Sequence, residues 1–248
     1  MNDSIHASNT TVLTRAATQE HYSDAAPAHG SREFYLKVKR GMDFAIALGS
    51  LLLLSPVLLV IASAIKLDSR GPAIFAQERV GWDRRRRQPK TFMVFKFRSM
   101  VNNADQKVHE KLVQEWIQGQ RGASGSGESS ELVKLAKDSR VTRVGKFLRR
   151  TSLDELAQLF NVLKGDMSLV GPRPVPLYEV AEYEPWHLRR LHATPGITCL
   201  WQVEGRGVSS IDEMVRLDIE YIERQSLRLD VELLLKTIPV VLSGRGAV

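Results

Sequence analysis

Cysteine is almost absent from this chain of 248 residues, in which Cys199 is the single example. One thiol can form neither an internal disulfide nor a cysteine-based zinc site, and nothing here requires an oxidising compartment. The histidines are few and scattered. His109, His187 and His192 lack the spacing of metal ligands, and we interpret them as structural residues.

A dinucleotide-binding fingerprint is missing as well. The glycines of residues 119–130 (GQRGASGSGESS) do not follow a predicted strand and have the wrong spacing, so they predict a flexible loop. A helical stripe precedes them over residues 102–118. Residues 1–30 are polar and aperiodic and predict a disordered tail.

Positive charge is in excess. The chain has 35 Lys and Arg against 28 Asp and Glu, a net charge of +7, which attracts nucleic acid, phosphorylated metabolites or acidic lipids. No aromatic residues interleave with the basic run and no recognition motif is present, so we expect no nucleic-acid partner. An apolar content of 43% is enough for a folded core.

One apolar segment interrupts this charged sequence. From Phe44 to Ile65 the chain has no charged residue. As a straight helix this segment is about 33 Å long, against about 30 Å for the bilayer core. Three interpretations compete: a buried helix of a soluble protein, a single membrane span, and a helix that enters the membrane and turns back. The segment starts too far into the chain, with no cleavage site close behind, for a removable signal peptide.

Two features favour the re-entrant helix. Pro56 lacks a donor N–H near the middle of the segment, which predicts a kink or break there. Basic residues lie on both flanks, and since these mark cytoplasmic loops, both ends prefer the same side. Against this, proline also occurs in ordinary spans, where the Ser55 hydroxyl can relieve the freed backbone.

The rest of the chain predicts an α+β fold that is mostly helical. Short strands at residues 73–75 and 92–97 flank an arginine-rich turn and predict a small β-hairpin. We predict helices at about residues 153–164, 178–191, 210–224 and 229–242. The last of these helices either lies in the membrane interface or packs on the domain. The basic run Arg84–Arg87 either binds anionic lipid headgroups or forms a solvated turn.

The sequence Ser-Leu-Asp-Glu at residues 152–155 has two interpretations. As a capping box, Ser152 and Glu155 bind free amides at the start of a helix. Residues 210–213 have the same form, so the pattern alone is unspecific. What distinguishes the first copy is its surroundings, with Arg149 and Arg150 before it and Gly171–Pro174 after it, which together suit a phosphate site.

The two carboxylates suit phosphoryl transfer. The helix dipole and the arginines are expected to favour the ionised form of Asp154, making it a charged nucleophile. Glu155 provides a hard oxygen ligand for Mg²⁺, which binds through one or two carboxylates and substrate phosphates. Prolines on both sides of Arg173 fix its backbone for contact with phosphate, although a rigid turn alone explains them equally well.

Together these segments resemble the bacterial sugar transferases, the small monotopic phosphoglycosyl transferases. The resemblance extends from about Lys39 to the C-terminus and includes Ser55-Pro56. It is carried by Lys96–Met100 (KFRSM), Leu148–Glu155 (LRRTSLDE), Asn161–Pro174 (NVLKGDMSLVGPRP), Pro195–Thr198 (PGIT) and Gly205-Arg206. Cys199 stands where the family commonly has glycine, and residues 102–137 exceed the shortest members.

The resemblance implies transfer of a hexose 1-phosphate from a UDP-hexose, with UDP-glucose or UDP-galactose as the expected donor, to undecaprenyl phosphate. It makes Asp154 the nucleophile and Glu155 the ligand of a Mg²⁺ cofactor. Phosphate or nucleotide contacts then belong to Arg149, Arg173 and Arg206, and less strongly to Lys96 and Arg98. Ser55 and Pro56 match the break in the membrane helix.

The resulting domain prediction is a tail over residues 1–30, a re-entrant membrane helix over residues 31–70 and a catalytic domain with interfacial helices over residues 71–248. We expect this monotopic protein at the cytoplasmic face of the bacterial inner membrane, in contact with membrane lipids, and consider a homo-oligomer and downstream glycosyltransferases as further partners. The main rival is a non-catalytic membrane scaffold, against which the retention of both Asp154 and Glu155 argues.

Overall fold

The computed structural model describes residues 29–84, 86–102, 140–204 and 210–242. Two 3₁₀ helices, Leu153–Ala157 and Pro185–Leu191, accompany the regular elements. These are α1 (His29–Asp68), β1 (Ile74–Asp83), β2 (Gln88–Phe97), α2 (Arg143–Arg150), α3 (Gln158–Lys164), β3 (Ser168–Val170), α4 (Leu177–Ala181), β4 (Gly196–Thr198), α5 (Leu200–Val203), α6 (Ile211–Arg224) and α7 (Leu227–Leu242). The predicted helix at 102–118, the loop at 119–130 and Arg206 lie outside the described residues, as does nearly all of the predicted tail.

Helix α1 is long and apolar enough to cross a bilayer. One stripe of it is buried against the rest of the chain, at Ala47, Leu51, Ile61 and Ile65. The large side chains around Pro56 point away from this stripe and are mostly exposed: Leu52 68%, Leu53 80%, Leu59 70% and Val60 68%. Exposed apolar surface of this size marks a contact with a partner or a membrane.

The helix continues through Pro56. Proline removes the N–H that would bond the carbonyl four residues earlier, which is that of Leu52. The Ser55 hydroxyl donates to this Leu52 carbonyl at 2.8 Å. The expected break is therefore not an interruption of the helix, because a side chain replaces the missing backbone donor. Whether the helix turns back in a membrane stays a prediction.

Both ends of α1 are bonded to the same compact unit. At the N-terminal end, Arg40 donates to the Leu163 carbonyl at 2.7 Å, and the Asp43 carboxylate accepts from the Leu169 N–H at 3.1 Å. The Lys39 ammonium lies 2.8 Å from Asp230, and both side chains are buried. At the C-terminal end, the Asp68 carboxylate accepts from the Val144 N–H at 3.1 Å.

The predicted hairpin is confirmed and is longer than expected. Strands β1 and β2 pair antiparallel over their full lengths, from Ile74 opposite Phe97 to Asp83 opposite Gln88. The buried Asn161 ties this hairpin to α3, since its side chain accepts from the Phe95 N–H at 2.9 Å and donates to the Met93 carbonyl at 2.6 Å. The base of the hairpin is thereby fixed beside the 3₁₀ helix Leu153–Ala157.

A second sheet was not predicted. Strands β3 and β4 pair in parallel, with Ser168 opposite Gly196 and Val170 opposite Thr198. Three residues per strand are too few to show a period-two pattern in a sequence. The pairing requires glycine at residue 196, where an added Cβ would lie 2.1 Å from the Gly171 nitrogen. This close approach brings Pro195–Thr198 against Gly171–Pro174.

The helical predictions are partly correct. Helices α6 and α7 form where expected. The element expected at 153–164 begins as a 3₁₀ helix before α3, and the one expected at 178–191 is divided into α4 and the 3₁₀ helix that starts at Pro185, where proline follows an extended residue. Helix α7 packs on the domain through Leu233, which is fully buried in the core. Leu235 and Ile238 are exposed by more than half, and contact of this face with a membrane stays a prediction.

Candidate functional site

The two Ser-x-Asp-Glu sequences adopt different structures. Ser210 caps α6 as predicted, with its side chain accepting from the Glu213 N–H at 3.2 Å. Ser152 makes no side-chain capping bond, so a capping box is wrong there. Instead its backbone is left-handed, with φ of 55°. A non-glycine residue in this region is strained, and such strain is concentrated at functional sites.

The Glu155 carboxylate is not part of a capping box, and it faces cations instead. Lys96, near the end of β2, places its ammonium 2.9 Å from Glu155 Oε1. Arg173 approaches the same oxygen at 3.8 Å. The hairpin, the 3₁₀ helix and the proline-flanked loop thus meet at one carboxylate. This places Asp154, Glu155, Lys96 and Arg173 in one neighbourhood, as the sequence predicted.

The loop that carries Arg173 is clamped on both sides. On one side, the Gly196 N–H donates to the Pro172 carbonyl at 2.9 Å. On the other, the Val80 N–H of β1 donates to the Val175 carbonyl at 2.8 Å. The sequence indicated that the prolines fix this backbone, and the tertiary contacts add two further restraints. Arg173 is therefore presented in a defined direction, with 38% of its side chain exposed.

The adjacent carboxylates have pKa values shifted in opposite directions. Burial raises the pKa of Asp154; the charges of Lys96 and Arg149 oppose this rise, and that of Glu155 adds to it. Burial acts in the same direction on Glu155, but Lys96, Arg173 and Arg79 outweigh it and hold the pKa of Glu155 below its ordinary value. Environments that separate the pKa values of neighbouring acids also assign them different chemical roles.

This finding corrects the expected electrostatics of Asp154. We expected a helix dipole and arginines to favour its ionised form, but its pKa is raised because burial outweighs its cationic neighbours. The helical element that starts at Leu153 is a 3₁₀ helix of 5 residues, too short for an aligned dipole of the assumed size. The charge that faces the carboxylates comes from side chains of other elements.

The remaining predicted cations fall in different places. The Arg149 Nε donates to Ser99 Oγ at 2.9 Å, and its charge acts on Asp154. Arg98 is buried, and its guanidinium donates to the carbonyls of Ser69 and Arg70, both at 2.7 Å, just after α1. The structure thus places Arg98 where it fixes the end of α1, because the last carbonyls of a helix need donors. Arg206 lies outside the described residues.

Sequence reasoning missed Arg79 as a member of this site. In the sequence it is only one of the basic residues after the apolar segment, yet its charge acts on both Glu155 and Arg173. Its Nη1 donates to the Pro174 carbonyl at 3.4 Å. No local signal could have found it, since the bond between Val80 and Val175 joins residues far apart in the chain.

Among the described residues, the site brings two carboxylates together with four cations, Lys96, Arg79, Arg149 and Arg173. Such an excess of positive charge beside two partly buried acids suits a phosphorylated substrate. The family profile described as "Bacterial sugar transferase" matches residues 34–244, a range that covers most of α1 and the whole site. The chain belongs to the bacterial sugar transferases.

Other bacterial sugar transferases show how far the similarity extends. The chain is 42% identical over 222 residues to the galactosyl transferase CpsE of Streptococcus agalactiae, matching 88% of this chain and 46% of that protein. It is 41% identical over 210 residues to the undecaprenyl-phosphate galactose phosphotransferase of Salmonella typhimurium, covering 85% and 41%. The exopolysaccharide production protein ExoY of Sinorhizobium fredii is 37% identical over 209 residues, covering 84% and 87%. The chain thus spans less than half the length of the first two relatives.

Glu155 stays the predicted ligand, in this bacterial sugar transferase, of a Mg²⁺ ion that would take most of its ligands from substrate and water. Glu155 offers a carboxylate with a lowered pKa beside Asp154. Within the described ranges no group of three or more His, Cys, Asp or Glu side chains is placed to hold a metal. Mg²⁺ needs no such cage, because one or two carboxylates and substrate phosphates suffice.

Proposed function

We propose that this protein transfers a hexose 1-phosphate from a UDP-hexose to undecaprenyl phosphate, producing an undecaprenyl-diphospho-sugar and UMP. The observation that carries this proposal is the pairing of Asp154 and Glu155, whose pKa values are shifted apart amid four cations. The relative from Salmonella is named for undecaprenyl phosphate and galactose, which supports a lipid phosphate as acceptor and a hexose as the transferred sugar.

The first step uses Asp154 as the nucleophile. A carboxylate oxygen of Asp154 attacks the phosphorus that carries the hexose, the bond from that phosphorus to the bridging oxygen breaks, and UMP leaves with the electron pair. The hexose phosphate stays on Asp154 as an acyl phosphate. The raised pKa of Asp154 supports this role, because a more basic carboxylate is a stronger nucleophile once it is ionised.

In the second step a phosphate oxygen of undecaprenyl phosphate attacks the same phosphorus. The bond to Asp154 breaks, the carboxylate leaves with the electron pair, and the lipid-linked product forms. Lys96 and Arg173 hold phosphate oxygens while the charge is redistributed, a role that their closeness to Glu155 supports. Glu155 would hold Mg²⁺, which when bound supplies positive charge against the diphosphate.

The same proposal places the site at the cytoplasmic face of the inner membrane. Asp43 and Asp68 lie towards opposite ends of α1, yet each is bonded to the unit that carries the site. If that unit stays in water, both ends of α1 lie on one side of the bilayer. The exposed apolar residues around Pro56 then enter the membrane, which supports a re-entrant helix rather than a span.

The test offers purified protein, Mg²⁺ and undecaprenyl phosphate to a panel of UDP-hexoses, and measures UMP and lipid-linked sugar. We expect both products with at least one donor, and neither with Asp154→Asn, which stays folded and membrane-bound. The matched control is Asp212→Asn in the second Ser-x-Asp-Glu sequence, which keeps wild-type activity. Mass spectrometry without acceptor should detect a hexose-phosphate adduct on Asp154. Unchanged UMP release by Asp154→Asn removes it from the nucleophile role, and a protein inactive with every donor is a scaffold.

A further inference from the structure

Arg79 is held against the loop that carries Arg173. The backbone of β1 bridges this loop through Val80 and Val175, the bond that clamps it from one side. One residue earlier, the Arg79 guanidinium reaches the Pro174 carbonyl. The two arginines thus belong to separate elements and are brought together by a backbone contact.

The partner that orients Arg79 is neutral. Its Nη2 donates to the side-chain oxygen of Gln77 at 2.6 Å. In the described part of the chain Arg79 forms no ion pair with a carboxylate, whereas Lys96 and Arg173 both approach Glu155. Burial, and next the charge of Arg173, lower the pKa of Arg79. Arginine stays protonated under such conditions, so two like charges share a partly buried place.

Glu155 and Glu179 attract Arg79 but form no ion pair with it in the described part of the chain, so the two like charges stay costly until a closer anion joins them. If Arg79 only tied β1 to the loop, a carboxylate at residue 77 would hold its guanidinium more firmly than a glutamine does. The strand could carry such a residue without a change in backbone. Glutamine instead orients the guanidinium without adding a negative charge. Four cations, Lys96, Arg79, Arg149 and Arg173, face the two carboxylates of Asp154 and Glu155, and this excess points to a ligand with more than one anionic group.

We propose that Arg79 and Arg173 form a pair of guanidiniums that binds the diphosphate of the donor nucleotide. This inference rests on the proposed function and names a further substrate-binding residue for it. A diphosphate offers oxygens on two adjacent phosphates, and each guanidinium donates to phosphate through parallel N–H groups. Arg79 supplies the second guanidinium, and Gln77 sets its direction without neutralising it.

Gln77→Glu tests this inference without removing the arginine. The new carboxylate pairs with Arg79, so the protein without ligand should unfold at the wild-type temperature or above. Its affinity for UDP, measured by thermal shift and by calorimetry, should fall about tenfold, the equivalent of about 1.4 kcal/mol. The KM for UDP-hexose should rise by a similar factor while kcat changes less than threefold. A purely structural Arg79 would be held more firmly by the new carboxylate and would leave UDP affinity unchanged, which would overturn the proposal.

Two further variants complete the design. Ala76→Glu adds the same negative charge on the opposite, exposed face of β1 and should bind UDP like the wild type. Arg79→Lys keeps a positive charge but loses the planar guanidinium with its parallel N–H groups. Its affinity for UDP should fall by a smaller factor than that of Gln77→Glu. A wild-type protein that responds to neither UDP nor UDP-hexose contradicts the proposed function itself. A responsive wild type with an equally responsive Gln77→Glu contradicts the role of Arg79 alone.

Discussion

The Lys96 ammonium and the Glu155 carboxylate join the end of β2 to the 3₁₀ helix that carries Asp154. The pair is about three-quarters buried on each side, at 25% and 21% exposure. A pair in this position contributes more than a fully solvated one, because less water screens it. It both holds the hairpin base on the site and keeps Glu155 ionised.

Loss of this pair should be measurable as stability. Lys96→Met leaves Glu155 without its nearest cation, so the free energy of unfolding should fall by about 1 kcal/mol at pH 7. Urea denaturation followed by circular dichroism in detergent measures this change. Lys164→Met is the control: its ammonium lies 3.6 Å from Asp166 and is 59% exposed, so its loss should cost less. Equal losses for the two variants would show that burial adds nothing to the Lys96 pair.

Neutralising the two adjacent acids should have opposite effects on stability at pH 7. Because the folded protein raises the pKa of Asp154, it loses stability as pH rises through that pKa, and Asp154→Asn avoids this loss. Glu155 has a depressed pKa, so its stabilisation is present above the unfolded pKa and disappears as pH falls through the folded value. We expect a higher unfolding temperature for Asp154→Asn and a lower one for Glu155→Gln.

Thermal unfolding at pH 7 and again near pH 4 checks both signs. Near the ordinary carboxyl range, about pH 4, the Asp154→Asn difference should shrink, because the raised pKa leaves Asp154 protonated in the folded chain. The Glu155→Gln difference should begin to shrink there and vanish only below the lowered pKa of Glu155. Shifts of equal sign at pH 7 would contradict the assignment of different electrostatic environments to these neighbours.

The topology of α1 can be tested with cysteines at its two ends. Val38→Cys and Arg70→Cys flank the apolar segment, and the native Cys199 is buried and should not react. In intact spheroplasts a membrane-impermeant maleimide should label neither position, and both should react after permeabilisation, as a re-entrant helix requires. Labelling of one position from outside would establish a single crossing.

Pro56 and Ser55 should contribute differently to that topology. Pro56→Leu restores a backbone donor for the Leu52 carbonyl and favours a straight helix that is long enough to span. We expect this variant to expose one of the two cysteines to the outside. Ser55→Ala, which removes only the hydroxyl that serves Leu52, should retain the wild-type labelling pattern and lower the unfolding temperature.

Two substitutions in α7 should distinguish its contact with the membrane from its packing in the core. Leu235→Asn changes a side chain that is 62% exposed, so it should weaken binding to vesicles of anionic lipid without lowering the unfolding temperature. Leu233→Ala removes a fully buried side chain and should cost about 2–5 kcal/mol of stability while leaving vesicle binding intact in the folded fraction. Flotation assays and thermal unfolding measure the two effects. A Leu235→Asn protein that floats like the wild type would place α7 away from the membrane.

The sequence alone determined the features that are local in the chain. An uncharged run, a proline within it, a strongly paired hairpin and the Asp-Glu pair are all readable because each depends on neighbouring residues or on a short period. The motifs also identified the family and most of the predicted cations, Lys96, Arg149 and Arg173, at the site.

Only the tertiary structure decided which of the two Ser-x-Asp-Glu sequences caps a helix, and which cations face Asp154 and Glu155. Ser210 accepts from a backbone N–H, whereas Ser152 has a left-handed backbone and makes no such bond, and the Glu155 that follows it pairs with Lys96 from β2. Arg98 is directed to the end of α1, while Arg79 enters the site through a backbone bridge that no local pattern shows. The direction of the Asp154 pKa shift likewise follows from burial, which is a property of packing rather than of sequence.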